Sequence, residues 1–306
     1  MITSVNSISI ISLTYNNWRL LDNAFRSLVS QQLPNVSFIE YIVVDDASPD
    51  FNAGEVHDLA MKYGVADKFD FSVRQNAKNI GTVASFNGAI QVSKGDIIIP
   101  LSGDDCFAGP NVIGAVVKFF NKNNSLIVTG LRVPVIDGKV YENDLIPDVK
   151  YHWLFEGDEQ TPLLEQLCLK KNIISGASTY YRREVFELLG KFDENYRLLE
   201  DFPFYEKALN NGVKIELLKE KTLLYSMNGI SNDSQPHPLL TKDYSRLMNC
   251  ISKNPNLSFW QKRQVVFNKV FDRTKRSEFF IVLAYLDCFL LRKYESMRKS
   301  LVKRIT

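Results

Sequence analysis

The sequence predicts an α/β protein whose sheet is mostly parallel and flanked by helices. In the first half of the chain, short apolar segments alternate with segments of helical periodicity, and every apolar segment ends in polar residues. This alternation is typical of strands joined by right-handed helical crossovers. The chain has 306 residues, with 45% apolar and 24% charged residues, which is sufficient for a large core and ordinary for a globular protein.

The predicted elements follow one another without long gaps. Leu20, Leu21, Ala24, Phe25 and Leu28 recur at helical spacing, whereas SISIISLT at the start of the chain reads as a strand. By the same reasoning we expect strands at 7–14, 41–44, 69–73 and 97–99, and helices at 18–31, 56–63 and 82–92. The carboxyl ends of the parallel strands should meet at one edge of the sheet, which is where open α/β sheets bind ligands.

Adjacent carboxylates follow two of these strands. Asp104 and Asp105 come after the buried strand 97–99, and Asp45 and Asp46 come after 41–44. Neighbouring carboxylates repel each other unless a cation lies between them. In proteins this cation is commonly a divalent metal ion that also binds the phosphates of a substrate. Taken singly, such residues are more often helix caps or turn residues, so the functional interpretation depends on their recurrence at one edge.

The charge of the chain is divided unevenly. Residues 259–306 contain twelve Lys and Arg against four Asp and Glu, a net charge of +8, which leaves 25 − 31 = −6 for the rest. Helices are expected at 239–251, 258–271 and 278–291, and we place a domain boundary between 1–235 and 236–306. This basic extension is either a helical appendage that packs on the core or a peripheral membrane contact through 259–306. An acidic body without a recognised module argues against nucleic acid.

The cysteines and the start of the sequence point to a reducing compartment. Cys106, Cys168, Cys250 and Cys288 form no CxxC pair, so we expect free thiols and no zinc site. The first residues lack the basic region of a secretory signal. The expected location is the cytoplasm, at the inner face of the cell membrane if the extension binds lipid.

Several segments together resemble family 2 of the glycosyltransferases. The resemblance covers residues 7–232 and is carried, in this order, by SIISLTYNN, EYIVVDDASPD, NIGTVASFNGAI, GDIIIPLSGDD, ISGASTYYRREVFELLGKFDE and LLEDFPFYEKALNNGVKI. It implies the GT-A fold, a Rossmann-like, mostly parallel sheet flanked by helices, here with a C-terminal helical appendage. It also implies an inverting transfer of a sugar from a nucleotide donor.

The resemblance assigns the donor-binding residues. It implies that Asp45 or Asp46, with a slight preference for Asp46, accepts the N3–H of uracil, a charge-assisted hydrogen bond. The remaining positions implied to contact the donor are Thr14, Tyr15, Asn16, Asn79, Gly81, Asn87, Ser102 and Asp104. Family members often carry Arg where this chain has Phe86, so Arg74 or Lys78 is considered as the replacement cation.

The same resemblance implies a metal site of Asp104 and Asp105 for Mn²⁺ or Mg²⁺. The first carboxylate of the common acidic motif is replaced by Ser102, which can still bond a ribose oxygen. Some relatives have a further metal-binding His where this chain has Asn228. His237 lies nearby and could substitute, but a lone His between prolines is more often a surface loop residue, and we interpret it so.

Glu200 and Asp201 are the implied catalytic pair. The resemblance makes Asp201 the general base and gives Glu200 a positioning or acceptor-binding role, with Ala177 and Ser178 lining the sugar pocket. Acidic residues in a first helical turn are also favoured by the helix dipole alone, so the interpretation rests on the segment that precedes them. The implied reaction is a single displacement with inversion at the anomeric carbon.

The functional prediction is therefore a metal-dependent transferase. The resemblance implies two partners: a nucleotide-sugar donor, in particular a UDP-sugar, and a saccharide or lipid-linked saccharide acceptor in bacterial surface polysaccharide biosynthesis. The alternative is a non-catalytic α/β nucleotide-binding or regulatory domain. A degenerate transferase belongs to that alternative, because Phe86 and Ser102 both depart from the common pattern.

Overall fold

A computed structural model describes residues 4–227 and 237–305, with side chains for 4–227 and 237–298. The strands of this part of the chain are β1 (Ser7–Thr14), β2 (Phe38–Asp45), β3 (Asp70–Gln75), β4 (Ile97–Pro100), β5 (Cys106–Phe107), β6 (Ile127–Ile136), β7 (Lys139–Val140), β8 (Thr179–Arg182) and β9 (Ile215–Ser226). All belong to one sheet, in the order β3-β2-β1-β4-β8-β6-β9-β5, with β7 paired to β6.

Helices connect and cover these strands. They are α1 (Leu21–Val29), α2 (Ala53–Tyr63), α3 (Val65–Lys68), α4 (Thr82–Val92), α5 (Val112–Lys122), α6 (Thr161–Glu165), α7 (Glu184–Leu189), α8 (Asp201–Asn210), α9 (Pro238–Ile251), α10 (Phe259–Val265), α11 (Arg273–Ser277), α12 (Phe279–Ala284) and α13 (Leu286–Ile305). Short 3₁₀ turns occur at Trp18–Leu20, Val149–Phe155 and Gly176–Ser178, and π turns at Gln166–Lys170 and Val266–Val270. The predicted alternation of strand and helix in the first half is confirmed.

The sheet is parallel in its first half and mixed in its second. β3, β2, β1 and β4 run parallel, as the sequence predicts. Beyond β4, β8 is antiparallel to both β4 and β6, whereas β6 and β9 are parallel. The carboxyl ends of β1, β2 and β4 therefore lie together at one edge.

Two apolar layers, one on each face of the sheet, form the core. Along β2, Tyr41 and Val43 belong to one layer, whereas Ile42 and Val44 belong to the other. This is the two-residue period of a strand that is buried on both faces. α1, α2 and α5 contribute to the first layer, and α4, α6, α8 and α9 to the second. Helix α9, which belongs to the predicted extension, thus packs on the core.

The end of the chain packs less completely. Leu247 and Ile251 of α9 and Val265 of α10 are buried in the core, but α11 and α12 contain no buried residue. Within the described residues, no helix is both long enough and apolar enough to span a membrane.

Gly130 allows β6 and β9 to approach closely. A Cβ atom at this position would overlap the buried side chain of Thr222, at the point where the register of the two strands shifts. We expect Gly130→Ala to lower the free energy of unfolding by about 1–3 kcal/mol, the usual cost of overpacking, in urea denaturation.

The matched control is Gly88→Ala in α4. Gly88 is exposed, and a Cβ there would meet nothing within 4 Å. Because Ala is the better helix former, this change should raise the free energy of unfolding by up to about 1 kcal/mol. Equal destabilisation by the two substitutions would contradict the close approach at Gly130.

Candidate active site

One cavity of about 820 Å³ opens at the carboxyl edge of the sheet. Its walls come from the ends of β1 and β4, the start of α4, the 3₁₀ turn Gly176–Ser178, the start of α8 and the start of α9. Its acidic side chains are Asp46, Asp104, Asp105, Glu200 and Asp201. Residues that are distant in the sequence therefore meet in one space large enough for a small ligand.

The two carboxylates after β2 have different surroundings. Asp45 is fully buried below the cavity, where its oxygens accept hydrogen bonds from the hydroxyl of Thr14 (2.9 Å) and from the backbone N–H (2.7 Å) and hydroxyl (2.6 Å) of Ser48. Asp46 lines the cavity and accepts from the backbone N–H groups of Ile80 (2.9 Å) and Gly81 (2.7 Å). Asp46 is thus the member of the pair placed to contact a ligand.

The loop before α4 is held against the segment before α8. Gly81 has φ +90°, and a Cβ there would lie 2.5 Å from Cγ of Arg197 and 2.6 Å from its carbonyl oxygen. Arg197 in turn donates hydrogen bonds to the backbone oxygen (2.9 Å) and side-chain oxygen (2.6 Å) of Asn79. Only glycine fits this position, because the backbone conformation and the contact both exclude a side chain.

The acidic turn after β4 carries Asp104 and Asp105, and the negative charge of Asp105 is only partly offset by hydrogen bonds. Oδ1 of Asp105 accepts the backbone N–H of Ser226 (2.9 Å), but its Oδ2 is buried and has no hydrogen-bond partner among the described residues. Burial, followed by the charge of Asp104, raises the pKa of Asp105 well above its usual value, and burial raises that of Asp104. The buried, unpartnered oxygen beside a second carboxylate fits a hard divalent cation.

The protein offers only part of a coordination shell here. Within the described part of the chain, no group of three or more His, Cys, Asp and Glu side chains is placed to hold a metal. Cations such as Mg²⁺ are commonly held by one or two carboxylates together with substrate phosphates, so Asp104 and Asp105 alone are a sufficient protein contribution.

Glu200 and Asp201 lie at the amino end of α8, facing the cavity. Asp201 accepts the backbone N–H of Phe202 (2.6 Å) and packs against the turn at Gly176, where a Cβ would lie 3.0 Å from its side chain. Burial raises the pKa of Asp201 to about 6. Burial and the adjacent charge of Asp201 raise the pKa of Glu200 to about 8. Asp201 keeps the lower pKa because backbone N–H groups and Arg132 stabilise its ionised form.

Arg132 is a cation of the cavity that sequence reasoning missed. Its guanidinium carbon lies 4.1 Å from the centroid of the Tyr225 ring, and its Nε is buried with no hydrogen-bond partner among the described residues. Burial lowers its pKa, against the opposing influence of Asp105 and Asp201. The sequence signal is a single Arg within the otherwise apolar strand IVTGLRVPVI.

The cations considered from the sequence are placed elsewhere. Arg74 and Lys78 are exposed and do not line the cavity. Phe86 lines the cavity and packs against Phe192, with ring centroids 5.3 Å apart. The expectation that Arg74 or Lys78 supplies the charge was wrong because both side chains project from the surface beside the cavity.

Helix α9 forms part of the same cavity wall as Glu200 and Asp201. His237, Leu239, Leu240 and Tyr244 line the cavity, and the buried carboxylate of Asp243 accepts the backbone N–H groups of Arg197 (2.8 Å) and Leu198 (2.7 Å). The interpretation of His237 as a surface loop residue was therefore wrong: it faces the cavity, and its Nδ1 is buried without a partner among the described residues. Asn228 lies outside the described residues.

Most of the sequence-predicted ligand residues line this cavity, and four do not. Those that do are Thr14, Tyr15, Asp46, Asn79, Gly81, Ser102, Asp104, Asp105, Ala177, Glu200 and Asp201. Asp45 lies beneath the wall, and Asn16, at φ +60°, donates its backbone N–H to the hydroxyl of Ser48. Asn87 bridges to the carbonyl oxygen (2.9 Å) and N–H (3.1 Å) of Phe192, and Ser178 donates to the carbonyl of Gly130 (3.2 Å).

These four residues thus form hydrogen bonds with other parts of the protein and do not line the cavity. A polar residue at a strand end or a helix start is as readily used to hold neighbouring segments together as to bind a ligand. Asp46 is therefore the candidate to contact the base, and the side chains of Asn87 and Ser178 hold the scaffold together. The hydrogen bond of Asn16 uses only its backbone, so its role as a donor ligand stays a prediction.

Known proteins resemble this chain in sequence and in fold. The family model described as glycosyl transferase family 2 matches residues 9–190. The uncharacterized glycosyltransferase EpsJ of Bacillus subtilis is 26% identical over 75% of this chain and 64% of its own length. The O-antigen chain rhamnosyltransferase WbaN of Salmonella anatum is 27% identical over 44% of this chain and 42% of its own length. The chain thus spans less than two thirds of either relative.

Solved structures share the fold at low sequence identity. Staphylococcus aureus TarS in complex with UDP-GlcNAc has a TM-score of 0.62 and 19% identity, over 92% of this chain and 79% of that one. The mannosyltransferase PcManGT of Pyrobaculum calidifontis, in complex with GDP-Man and Mn²⁺, has a TM-score of 0.60 and 15% identity. This match covers 84% of this chain and 66% of that one. The family match spans more than half of the chain. The chain therefore has the predicted GT-A fold and belongs to glycosyl transferase family 2, a family of enzymes.

Proposed function

We propose that the chain is a metal-dependent inverting glycosyltransferase that moves a sugar from a UDP-sugar to a saccharide or lipid-linked saccharide. The observation that carries this proposal is that Asp46, the pair Asp104–Asp105 and the pair Glu200–Asp201 line one cavity of about 820 Å³. Such a transfer requires a site for the base, a site for the diphosphate and a general base, and the three groups offer one of each.

The cavity divides into a donor side and an acceptor side. On the donor side, Asp46 accepts the N3–H of the uracil, and Tyr15, Asn79 and Gly81 form the wall beside it. Asp104 and Asp105 would hold Mn²⁺ or Mg²⁺, which when bound supplies positive charge to the leaving diphosphate. Ser102 offers a hydroxyl for a ribose oxygen. These roles rest on the positions of the side chains in the cavity wall.

On the acceptor side, Asp201 removes the proton from the attacking hydroxyl. Ionised Asp201 accepts that proton as the hydroxyl oxygen forms its bond to the anomeric carbon and the bond to the diphosphate breaks on the opposite face. The configuration at the anomeric carbon is inverted. Burial and the adjacent charge of Asp201 raise the pKa of Glu200, so protonated Glu200 can donate a hydrogen bond to the acceptor.

The biological setting is bacterial surface polysaccharide biosynthesis. WbaN of Salmonella anatum and RfbN of Salmonella typhimurium are named as O-antigen chain rhamnosyltransferases, which supports a saccharide acceptor. TarS with UDP-GlcNAc and PcManGT with GDP-Man and Mn²⁺ support a nucleotide-sugar donor and a divalent cation. A lipid-linked acceptor would place the chain at the inner face of the cell membrane.

We expect Asp201→Asn to reduce the hydrolysis of the donor by at least about a hundredfold, because the amide cannot accept the proton. The measurement is release of UDP from a panel of UDP-sugars in the presence of Mn²⁺, together with the thermal shift produced by UDP, which should be retained. Glu187→Gln, an exposed carboxylate on α7, is the control. Turnover by Asp201→Asn near the wild-type rate would exclude this base, and no turnover by the wild type would favour the non-catalytic alternative.

The rate should fall as the pH drops through about 6, since Asp201 must be ionised to act as a base. The charge of Arg132 lowers the pKa of Asp201, so Arg132→Gln should move this acidic limb to higher pH. The pH dependence of kcat for donor hydrolysis measures the shift, with the exposed Arg74→Gln as the control. An unmoved limb in Arg132→Gln would show that the titrating group is not Asp201.

Asp105→Asn should abolish the part of the UDP-induced thermal shift that depends on Mn²⁺. Ligands that bind only the folded state stabilise it, by about 2.7 kcal/mol at a hundred times Kd, so loss of the cation site removes that increment. In the absence of UDP and Mn²⁺, Asp105→Asn should be at least as stable as the wild type, because burial disfavours the negative charge that the substitution removes. The exposed Asp70→Asn serves as the control, and an unchanged Mn²⁺-dependent shift in Asp105→Asn would contradict the site.

A further inference from the structure

An apolar surface that is exposed among the described residues lies on α12 and α13. We define this tail face by six side chains, Phe279, Phe280, Leu283, Leu286, Leu290 and Met297. The two phenylalanines have 74% and 79% of their surface exposed. Within α13, Leu286, Leu290 and Met297 recur at intervals of four and seven residues, which places them along one side of that helix, and Phe279, Phe280 and Leu283 belong to α12, before the turn at Tyr285. Residues 259–298 hold ten of the twenty large apolar side chains that are exposed in the described chain.

The helices that carry the tail face are anchored through their other side. Arg263 of α10 forms an ion pair with Asp287 (2.6 Å), and the rings of Phe267 and Tyr285 stack with centroids 5.8 Å apart. Cys288 is buried. Since these contacts fix α13 against α10, the exposure of the tail face reflects a defined orientation.

Positive charge surrounds this surface. Residues 259–306 have a net charge of +8. Arg273, Lys275, Lys293 and Arg298 are exposed, and within the described residues the one salt bridge of this region is that between Arg263 and Asp287. The region therefore combines exposed apolar side chains with exposed basic side chains that outnumber its acidic residues.

We propose that the tail face docks onto an anionic lipid surface. Apolar side chains on one side of a helix with Lys and Arg around them are the combination that binds the interface of anionic bilayers. Each basic side chain near such a surface strengthens binding roughly fivefold. A second copy of the chain is the less favourable occupant, because it would bring a charge of +8 against another +8.

This contact goes beyond the proposed transfer reaction and depends on no step of it. Its test requires no donor or acceptor: the full chain is floated with vesicles of phosphatidylcholine, alone or mixed with phosphatidylglycerol. We expect binding to the mixed vesicles that weakens as salt increases, and little binding to phosphatidylcholine alone. Equal binding to both kinds of vesicle, or no binding to the mixed vesicles at low salt, would overturn the proposal.

Two variants separate the apolar and basic contributions. Phe279→Ser combined with Phe280→Ser should reduce vesicle binding at least about tenfold, because two exposed aromatic rings no longer enter the interface. Arg273→Ala, Lys293→Ala and Arg298→Ala together should reduce it about a hundredfold. All these residues are exposed, so we expect the melting temperature of the wild type in both variants.

The matched control lies outside the tail. Trp153→Ser combined with Leu188→Ser removes two side chains that are 59% and 63% exposed, and vesicle binding should be unchanged. Sedimentation velocity of the wild type tests the second-copy alternative. A dimer that Phe279→Ser with Phe280→Ser dissociates, together with undiminished vesicle binding by that variant, would show that the face serves self-association.

Discussion

The site depends on how the protein accommodates five carboxylates around one cavity. Burial disfavours every one of these charges when it stands alone, and adjacent pairs also repel each other. Hydrogen bonds from the backbone N–H groups of Ile80 and Gly81 offset the negative charge of Asp46. The backbone N–H of Phe202 does the same for Asp201. Asp105 has only the N–H of Ser226 and leaves one buried oxygen without a partner in the described chain. The negative charge of Asp105 is therefore only partly offset, and its pKa is raised well above its usual value by burial and by the charge of Asp104.

The C-terminal half of the chain completes the site that the N-terminal half begins. The first strands deliver Asp46 and Asp104–Asp105 to a common edge, but the pair Glu200–Asp201 lines the same cavity because the segment before α8 is held in place. Asp243 of α9 fixes two backbone N–H groups of that segment, and Arg197 ties it to Asn79. Helix α9 thus supports the segment that precedes Glu200 and Asp201 and is also part of the cavity wall.

The sequence predicts where strands end far better than which side chain faces the ligand. Alternation of apolar and polar segments was enough to place Asp45–Asp46 and Asp104–Asp105 at one sheet edge, because parallel strands have a common direction. It could not choose between Asp45 and Asp46. Asp45 still belongs to β2 and is buried, whereas Asp46 follows the strand and turns toward the cavity. The choice depends on the backbone bend at the strand end, which involves Ala47 at φ +64°.

Arg132 was not predicted, and His237 was interpreted wrongly, for a different reason. Arg132 follows no strand end, and His237, although near the position where some relatives have a metal-binding His, lies between prolines as surface loop residues often do. They reach the cavity because β6 lies beside β9 and because α9 crosses the second apolar layer, and both are consequences of long-range packing. The mixed half of the sheet is likewise set by pairings between distant segments, such as β4 with β8.

The charge of the cavity wall also constrains how an anionic donor can bind. Among the described residues the wall has five carboxylates against the guanidinium groups of Arg132 and Arg197. A nucleotide diphosphate that enters this space meets net repulsion unless positive charge is added or carboxylates take up protons. Burial raises the pKa of Glu200, so this carboxylate can take up a proton without loss of the base, whereas protonation of Asp201 would remove the base that the proposed transfer needs. Added positive charge at Asp104 and Asp105 leaves Asp201 ionised, and for this reason the acidic turn and the base are best regarded as one electrostatic unit.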